Sequence, residues 1–257
     1  MSKDRSGTED PARTLELLWR ESAQEPAGRR GPRQGLSVDA VVDAAVELAD
    51  RDGLNALTMR SLATALGVTP MSLYTYVPGK TELLDLMLDQ VWGRMERRPV
   101  PADADWRTRL TAVADDNRDL LFRHPWVADL AATRPPMGPG VIGKYERELA
   151  AFEGMGLPDV EMDAGLTHLL AFVHATVRAA LDAAEHNRRQ SDDEWWDATA
   201  PLLERVMDAE AYPLAFRVGS SVGAYSPETA WAFGLRCVLD GIAARLPGEV
   251  SGRSDQR

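Results

Sequence analysis

From Ser37 onward the apolar residues recur every three or four positions, a spacing that suits helices and little else. Val38, Val41, Val42, Ala45, Leu48 and Ala49 make one stripe, with Ser37 as N-cap and Asp52-Gly53 as the stop. The same period runs through 158–186 on Met162, Leu166, Leu169, Val173, Val177 and Leu181. Those 29 residues predict a helix roughly 43 Å long. Alternating β-branched runs and internal repeats are both absent from the sequence. The chain reads as all-α.

Shorter helices fill the N-terminal part. One spans 58–66, starting at Thr58 and turning Leu62, Ala63 and Leu66 inward, and Gly67-Val68 breaks it. A very short one covers 69–76 and stops at Pro78-Gly79. The next starts near Lys80-Thr81 and lines up Leu84, Met87, Leu88, Val91 and Met95. Pro99 and Pro101 mark a boundary, after which helices are expected at 105–123, 126–132, 141–155 and 158–186. Ser191-x-x-Glu194 is a capping box that launches another through Trp195 and Trp196 to about Asp208. Ser226-Pro227 opens the last, which ends near Leu246. Ahead of all these lies a Pro-, Gly-, Arg- and Glu-rich extension in which only Thr14 to Trp19 has the pattern of two docked helical turns. The expected organisation is an extension at 1–35, a small helical domain at 36–95 and a larger one at 96–257.

Net charge is −11, which by itself disfavours a polyanionic partner, but the acids are unevenly placed. Between Asp52 and Glu82 lie 29 residues without an Asp or Glu. At the chain average of 40 acids in 257 residues, about four or five would be expected there. Local field rather than net charge steers a polyanion. Upstream, Arg29, Arg30 and Arg33 stand in a Gly/Pro segment that reads either as a basic arm for a minor groove or as a solvated linker.

The acid-free stretch has the parts of a helix-turn-helix. Two short helices that cross steeply need a small residue between them, and Ala63 supplies it; the turn needs a glycine, and Gly67 follows four later. Leu62, Leu66, Val68 and Leu73 occupy the locking positions. What remains on the second helix, Thr69, Pro70, Met71, Ser72, Tyr74 and Thr75, is short or aromatic where solvent would favour Lys and Glu. Such a face admits a major groove.

The run Leu57-Thr58-Met59-Arg60-Ser61-Leu62-Ala63, Leu66-Gly67-Val68, Ser72-Leu73-Tyr74-Thr75-Tyr76-Val77 and Lys80-Thr81-Glu82-Leu83-Leu84 resembles the DNA-binding domain of the tetracycline-repressor (TetR) family. Leu121-Phe122-Arg123-His124-Pro125-Trp126 and Thr133 to Pro139 resemble, more weakly, its C-terminal domain. The resemblance implies a homodimeric, cytoplasmic transcription regulator, by family habit a repressor, released from a palindromic operator by a small molecule. It implies that Thr58 and Arg60 reach phosphate or a base edge, and that Thr69, Pro70 and Met71 face bases. Ser72 and Tyr74 would touch backbone or a base edge, and Tyr76 and Lys80 would clamp phosphates. Each tyrosine also suits a plain packing role, and Arg60 suits an ion pair with the first helix. Pro70 and Met71 stand where tetracycline repressor itself has a Gln-Pro pair, so readout of adenine by an amide does not transfer.

In the larger domain, Trp106, His124, Trp126, Met137, His168, Phe172 and Trp195, with Trp196 beside it, supply aromatic and soft side chains with a few polar tips. They are the expected lining for a largely apolar effector, though stripes of this kind also serve as core. No metal or cofactor is expected: His168 and His174 stand about 240° apart around a helix and do not chelate together. The final helix mixes Ala230, Gly234, Gly241 and Ala244 with Trp231, Leu235, Val238, Leu239 and Ile242. That mixture suits a close four-helix dimer seam with helix 158–186, with the lone Cys237 as a buried thiol in it.

No run of apolar residues approaches a membrane span, and the opening Met1-Ser2-Lys3-Asp4-Arg5 leads into no apolar signal segment, so neither membrane nor secretion is expected. Enzyme motifs are missing: no Gly-rich phosphate loop, no Gly-x-Ser-x-Gly, no Cys–His pair at a motif spacing. The alternative that composition leaves open is a helix-turn-helix that docks protein instead of DNA.

Overall fold

A computed structural model describes residues 11–20, 36–130, 135–188, 191–222 and 226–247. The Arg29, Arg30 and Arg33 segment, together with Thr133 and Arg134, lies outside the described residues. In chain order the helices are α1 (Pro11–Leu18), α2 (Val38–Asp52), α3 (Met59–Ala65), α4 (Pro70–Tyr74), α5 (Lys80–Gly93) and α6 (Trp106–Arg123). They continue as α7 (Pro125–Asp129), α8 (Pro139–Leu149), α9 (Asp159–Asn187), α10 (Asp192–Val206), α11 (Pro213–Val222) and α12 (Pro227–Ala243). A 3₁₀ turn at Ala150–Phe152 follows α8. Among the described residues there is no strand.

Two compact units emerge, and neither is a single stretch of chain. The first takes described residues from Met1–Pro99 and Asp119–Ala151, the second from Val100–Arg118 and Phe152–Arg257. In the first, α2 packs on α3, α5 and α7, α3 on α4, and α5 on both α1 and α8. Its core runs through Val41, Val42, Ala45, Leu57, Leu62, Leu73, Val77, Leu83 and Met87, all buried. Of the stripe expected along and just after α5, Met87, Leu88, Val91 and Met95 are buried, joined by Leu83 and Leu86, while Leu84 is half-exposed.

The α5–α8 contact is backbone against backbone. A Cβ on Gly140 would lie 1.9 Å from the Asp89 carbonyl oxygen, and one on Gly93 would lie 3.1 Å from the Gly140 Cα. Beside it, Lys144 and Glu148 of α8 form a buried ion pair of 2.7 Å, with the Lys144 Nζ 6.0 Å from the Trp92 ring centroid. Burial pushes the Lys144 ammonium below the ordinary lysine value against the opposing pull of Glu148.

In the second unit α9 packs on α12. Phe172 meets Trp231 at 5.1 Å, the Trp231 indole N–H donates to Asp115 at 3.2 Å, and the Arg118 guanidinium lies 4.7 Å from the same ring's centroid. A side chain at Gly234 would strike the Phe172 ring at 2.4 Å, so the small residue is what lets the two helices meet.

Three expectations change. Helix α11 is not among the predicted elements, because Leu214, Phe216 and Val218 alternate and Gly219 follows; all three are exposed. Cys237 is exposed in the single chain, not buried, since it faces a groove between α9 and α12. Finally, α9 has a window with mean hydropathy 1.3, so by length and composition it meets the requirement for crossing a membrane, although no uninterrupted apolar run does. Only 22% of that window is buried, on the stripe Leu166, Leu169, Val173 and Val177.

Candidate nucleic-acid interface

Helix α3 is started by its own side chains. The Thr58 hydroxyl accepts the Ser61 N–H at 3.0 Å, and the Ser61 hydroxyl accepts the Thr58 N–H at 2.9 Å. Leu62 and Ala63 are buried against the neighbouring helices. Gly67 then takes φ 66°, the left-handed conformation that turns the chain, and the Val68 N–H bonds the Ala63 carbonyl at 3.0 Å. Thr69 caps α4 by accepting the Ser72 N–H at 3.2 Å, and Pro70 occupies the first turn where no N–H is needed. Leu73 and Val77 fasten the short helix from below.

The outward face of this unit gathers the predicted positions. Met71 is 77% exposed and Tyr74 45% exposed, far from the packing role open to a tyrosine on sequence grounds. Thr58, Arg60, Thr69, Pro70 and Lys80 are also exposed, and Ser72 and Tyr76 half-buried. Arg60 is in no ion pair among the described residues, so the pairing with α2 does not form. Lys80 is the first residue of α5, whose N-cap, Gly79, contributes no side-chain bond. The surface therefore offers hydroxyls, a guanidinium and an ammonium, with Glu82 the nearest acid in sequence.

The expected effector-lining residues divide between the units. Trp106, His168, Phe172 and Trp195 belong to the second; His168 and Trp195 are exposed, and the His168 Nδ1 bonds the Ala164 carbonyl at 2.7 Å. His124, Trp126 and Met137 belong to the first. There the His124 Nδ1 lies 2.8 Å from an Asp50 carboxylate oxygen, and the Trp126 indole N–H donates to the same oxygen at 2.6 Å. Both polar tips are thus spent on tying α7 to α2. Met137 is exposed, and its carbonyl accepts the Trp19 indole N–H at 2.8 Å. No group of three metal-ligating side chains occurs among the described residues. Between α9 and α12 a groove of about 500 Å³ is lined by Glu161, Gly165, His168, Cys237, Gly241 and Arg245, with Glu161 and Arg245 paired at 2.9 Å.

Asp50, Asp89, Trp19 and Arg20 carry connections that sequence reasoning missed. Asp89 left one legible trace, an acid three residues after Leu86 and two before Val91 on a helix whose buried face holds both. Asp50 left none, because an acid near a helix end is ordinary.

The comparisons with known proteins bear on this head and on the helical remainder alike. Residues 41–87 match the model of bacterial regulatory proteins of the tetR family, and residues 98–246 match the tetracyclin repressor-like C-terminal domain. The chain belongs to the TetR family. It is a helix-turn-helix, DNA-binding transcriptional regulator. This regulator is 40% identical over 244 residues to the HTH-type transcriptional repressor DrrR1 of Streptomyces coeruleorubidus, covering 94% of this chain and 88% of that one. It is 30% identical over 217 residues to the class A tetracycline repressor of Escherichia coli from transposon 1721, covering 82% and 92%. The crystal structure of the Streptomyces coelicolor TetR-family protein ActR in complex with actinorhodin superposes with a TM-score of 0.71 at 26% identity, covering 84% of this chain and 99% of that one.

Proposed function

We propose that this regulator is a cytoplasmic homodimeric repressor that holds a palindromic operator until a small, largely apolar molecule binds its helical domain. The observation that carries the operator half is the exposed, carboxylate-free face from Thr58 to Lys80. On it Thr69, Pro70 and Met71 meet base edges, Met71 and Pro70 suiting thymine methyls. Thr58, Arg60, Ser72, Tyr74, Tyr76 and Lys80 hold phosphates or edges of the groove. The division we propose is a head at 36–95, a ligand-binding and dimerisation domain at 96–257, and an extension at 1–35 whose arginines enter the adjacent minor groove; matches at 41–87 and 98–246 support the first two.

The dimer reading rests on apolar surface left without a partner in one chain. Val160 of α9 is 76% exposed and Phe233 of α12 59%, beside the α9–α12 groove, and Leu214 and Val218 of α11 are exposed too. A second copy covering these faces also accounts for the hydropathy of α9 without a membrane. The effector reading draws on relatives: tetracycline repressors and an actinorhodin complex both name polycyclic aromatic molecules. Aromatic positions at Trp106, His168, Phe172 and Trp195, all in the second unit, suit that class.

The test is direct. The purified chain is titrated against the duplex upstream of its own gene at several salt concentrations, then challenged with tetracycline and with actinorhodin. Salt-dependent binding by a dimer, reversed by either aromatic compound, is the expected result. No binding at low salt by dimeric protein defeats the operator half; binding that neither compound reverses leaves the repressor and defeats this effector class.

A further inference from the structure

Helix α1 precedes the segment matched by the TetR-family model, which begins at residue 41. It is nonetheless docked. Leu18 is buried and α1 packs on α5. At its end two side chains reach in different directions. The Trp19 indole N–H donates to the Met137 carbonyl, 118 residues away in sequence, at 2.8 Å. The Arg20 guanidinium bonds Asp39, in the first turn of α2, and the Leu17 carbonyl, while its Nε is buried with no partner among the described residues.

Met137 leads into α8, and the start of that helix has an unusual dependence on α5. Gly138, its N-cap, offers no side-chain cap; the Asp89 carboxylate of α5 accepts the Val141 N–H at 2.8 Å instead. Any side chain at Gly138 would occupy that carboxylate's place, 2.4 Å from it. So the end of α1 joins three separate pieces: the first turn of α2, the flank of α5, and the residue that delivers the chain into α8. Helix α2 packs on α3, which packs on α4, and α5 and α8 form the base on which these three helices sit.

We propose that Trp19 and Arg20 form a positioning latch that fixes the helix-turn-helix head on the α5–α8 base, so that α4 is held in its operator-binding orientation. The latch touches no DNA. It removes freedom that the head would otherwise lose on binding, and pre-organisation of this kind raises affinity without adding contacts. The inference rests on the operator-binding reading above.

The experiment uses the full chain and three variants: Trp19→Phe, which keeps the ring and removes the donor, Arg20→Gln, and the double variant. Affinity for the duplex upstream of the gene is measured by fluorescence anisotropy across a salt series, and amide exchange is followed over residues 137–142. The double variant is expected to bind about tenfold more weakly, with an unchanged slope of log affinity against log salt and faster exchange at Val141 and Ile142. An affinity within twofold of the unmodified chain overturns the latch, even where the melting temperature falls, because the contacts then serve folding alone. A salt slope reduced by about one overturns it too, since Arg20 would then be a phosphate contact. An unmodified chain that binds no duplex defeats the operator reading and this inference together. A tight unmodified chain with equally tight variants defeats the latch alone.

Discussion

Two glycine-to-alanine replacements separate steric from conformational cost in this fold. At Gly140 an added Cβ lands 1.9 Å from the Asp89 carbonyl oxygen and 3.0 Å from the Gly93 nitrogen. Carbon and carbonyl oxygen normally rest at ~3.3 Å or more, so α5 and α8 must part by more than 1 Å. Both atoms are backbone, and no side chain can swing aside. Overpacking of this sort costs about 3 kcal/mol at the upper end of the usual range. Alanine returns at most ~1 kcal/mol of helix propensity, which leaves a net loss of about 2 kcal/mol. At Gly67 an added Cβ meets no heavy atom of the described residues within 4 Å, its chain neighbours aside, but φ is 66°. The whole penalty there is the left-handed backbone, about 1 kcal/mol, partly offset by a less flexible unfolded chain. Urea unfolding at one fixed protomer concentration, so that association does not enter the comparison, measures both. Gly140→Ala is expected to lose at least twice as much stability as Gly67→Ala. Equal losses, or a Gly140→Ala variant as stable as the parent, would refute the account of α5 and α8 as helices in backbone contact.

Further outcomes follow from individual side chains. Lys80→Ala should weaken binding to all duplex sequences alike and lower the salt slope by about 1, whereas a sequence-dependent loss would mean that Lys80 reads bases. Glu148→Gln leaves the Lys144 ammonium buried without its counter-charge and should cost about 3–5 kcal/mol in a denaturant titration. The double change Lys144→Met with Glu148→Leu should cost far less, and parity between the two would refute the pair's burial. Asp89 is raised above the ordinary aspartate value, first by burial, against the Val141 and Gly140 amides and Arg20, which pull it down. Between the unfolded value and that raised one, the folded chain is the more protonated of the two at this group. Stability contributed by this group should fall as pH rises from the unfolded value through the folded one. Asp89→Asn should flatten that part of the stability profile, and an unchanged profile would show that Asp89 does not cause it.

Much of the head could be read directly. Ala63, Gly67 and the caps Ser37 and Thr58 each act within a few residues of themselves, and the hydrogen bonds the caps make are local. The exposed face of α4 was legible for the same reason: once Leu62 and Leu73 are placed inward, helical geometry turns Met71 and Tyr74 outward. The effector-lining positions were not legible in that way. His124 and Trp126 have the composition of a pocket wall, yet their polar atoms meet Asp50, more than 70 residues earlier. A side chain's chemistry lists the partners it can accept, and only the packing of α7 on α2 selects one.

By itself, the sequence determined the helical class, the break at Gly67 and the acid-free surface, because periodicity, capping and charge composition act over a few residues. The tertiary structure decided the rest. It bent α7 and α8 back onto the head, made Asp89 the cap of a helix about 50 residues downstream, and brought Trp19 to Met137. Those pairings depend on how helices meet in space, and the spacing of residues along the chain holds no information about which distant backbone group will be left needing a partner.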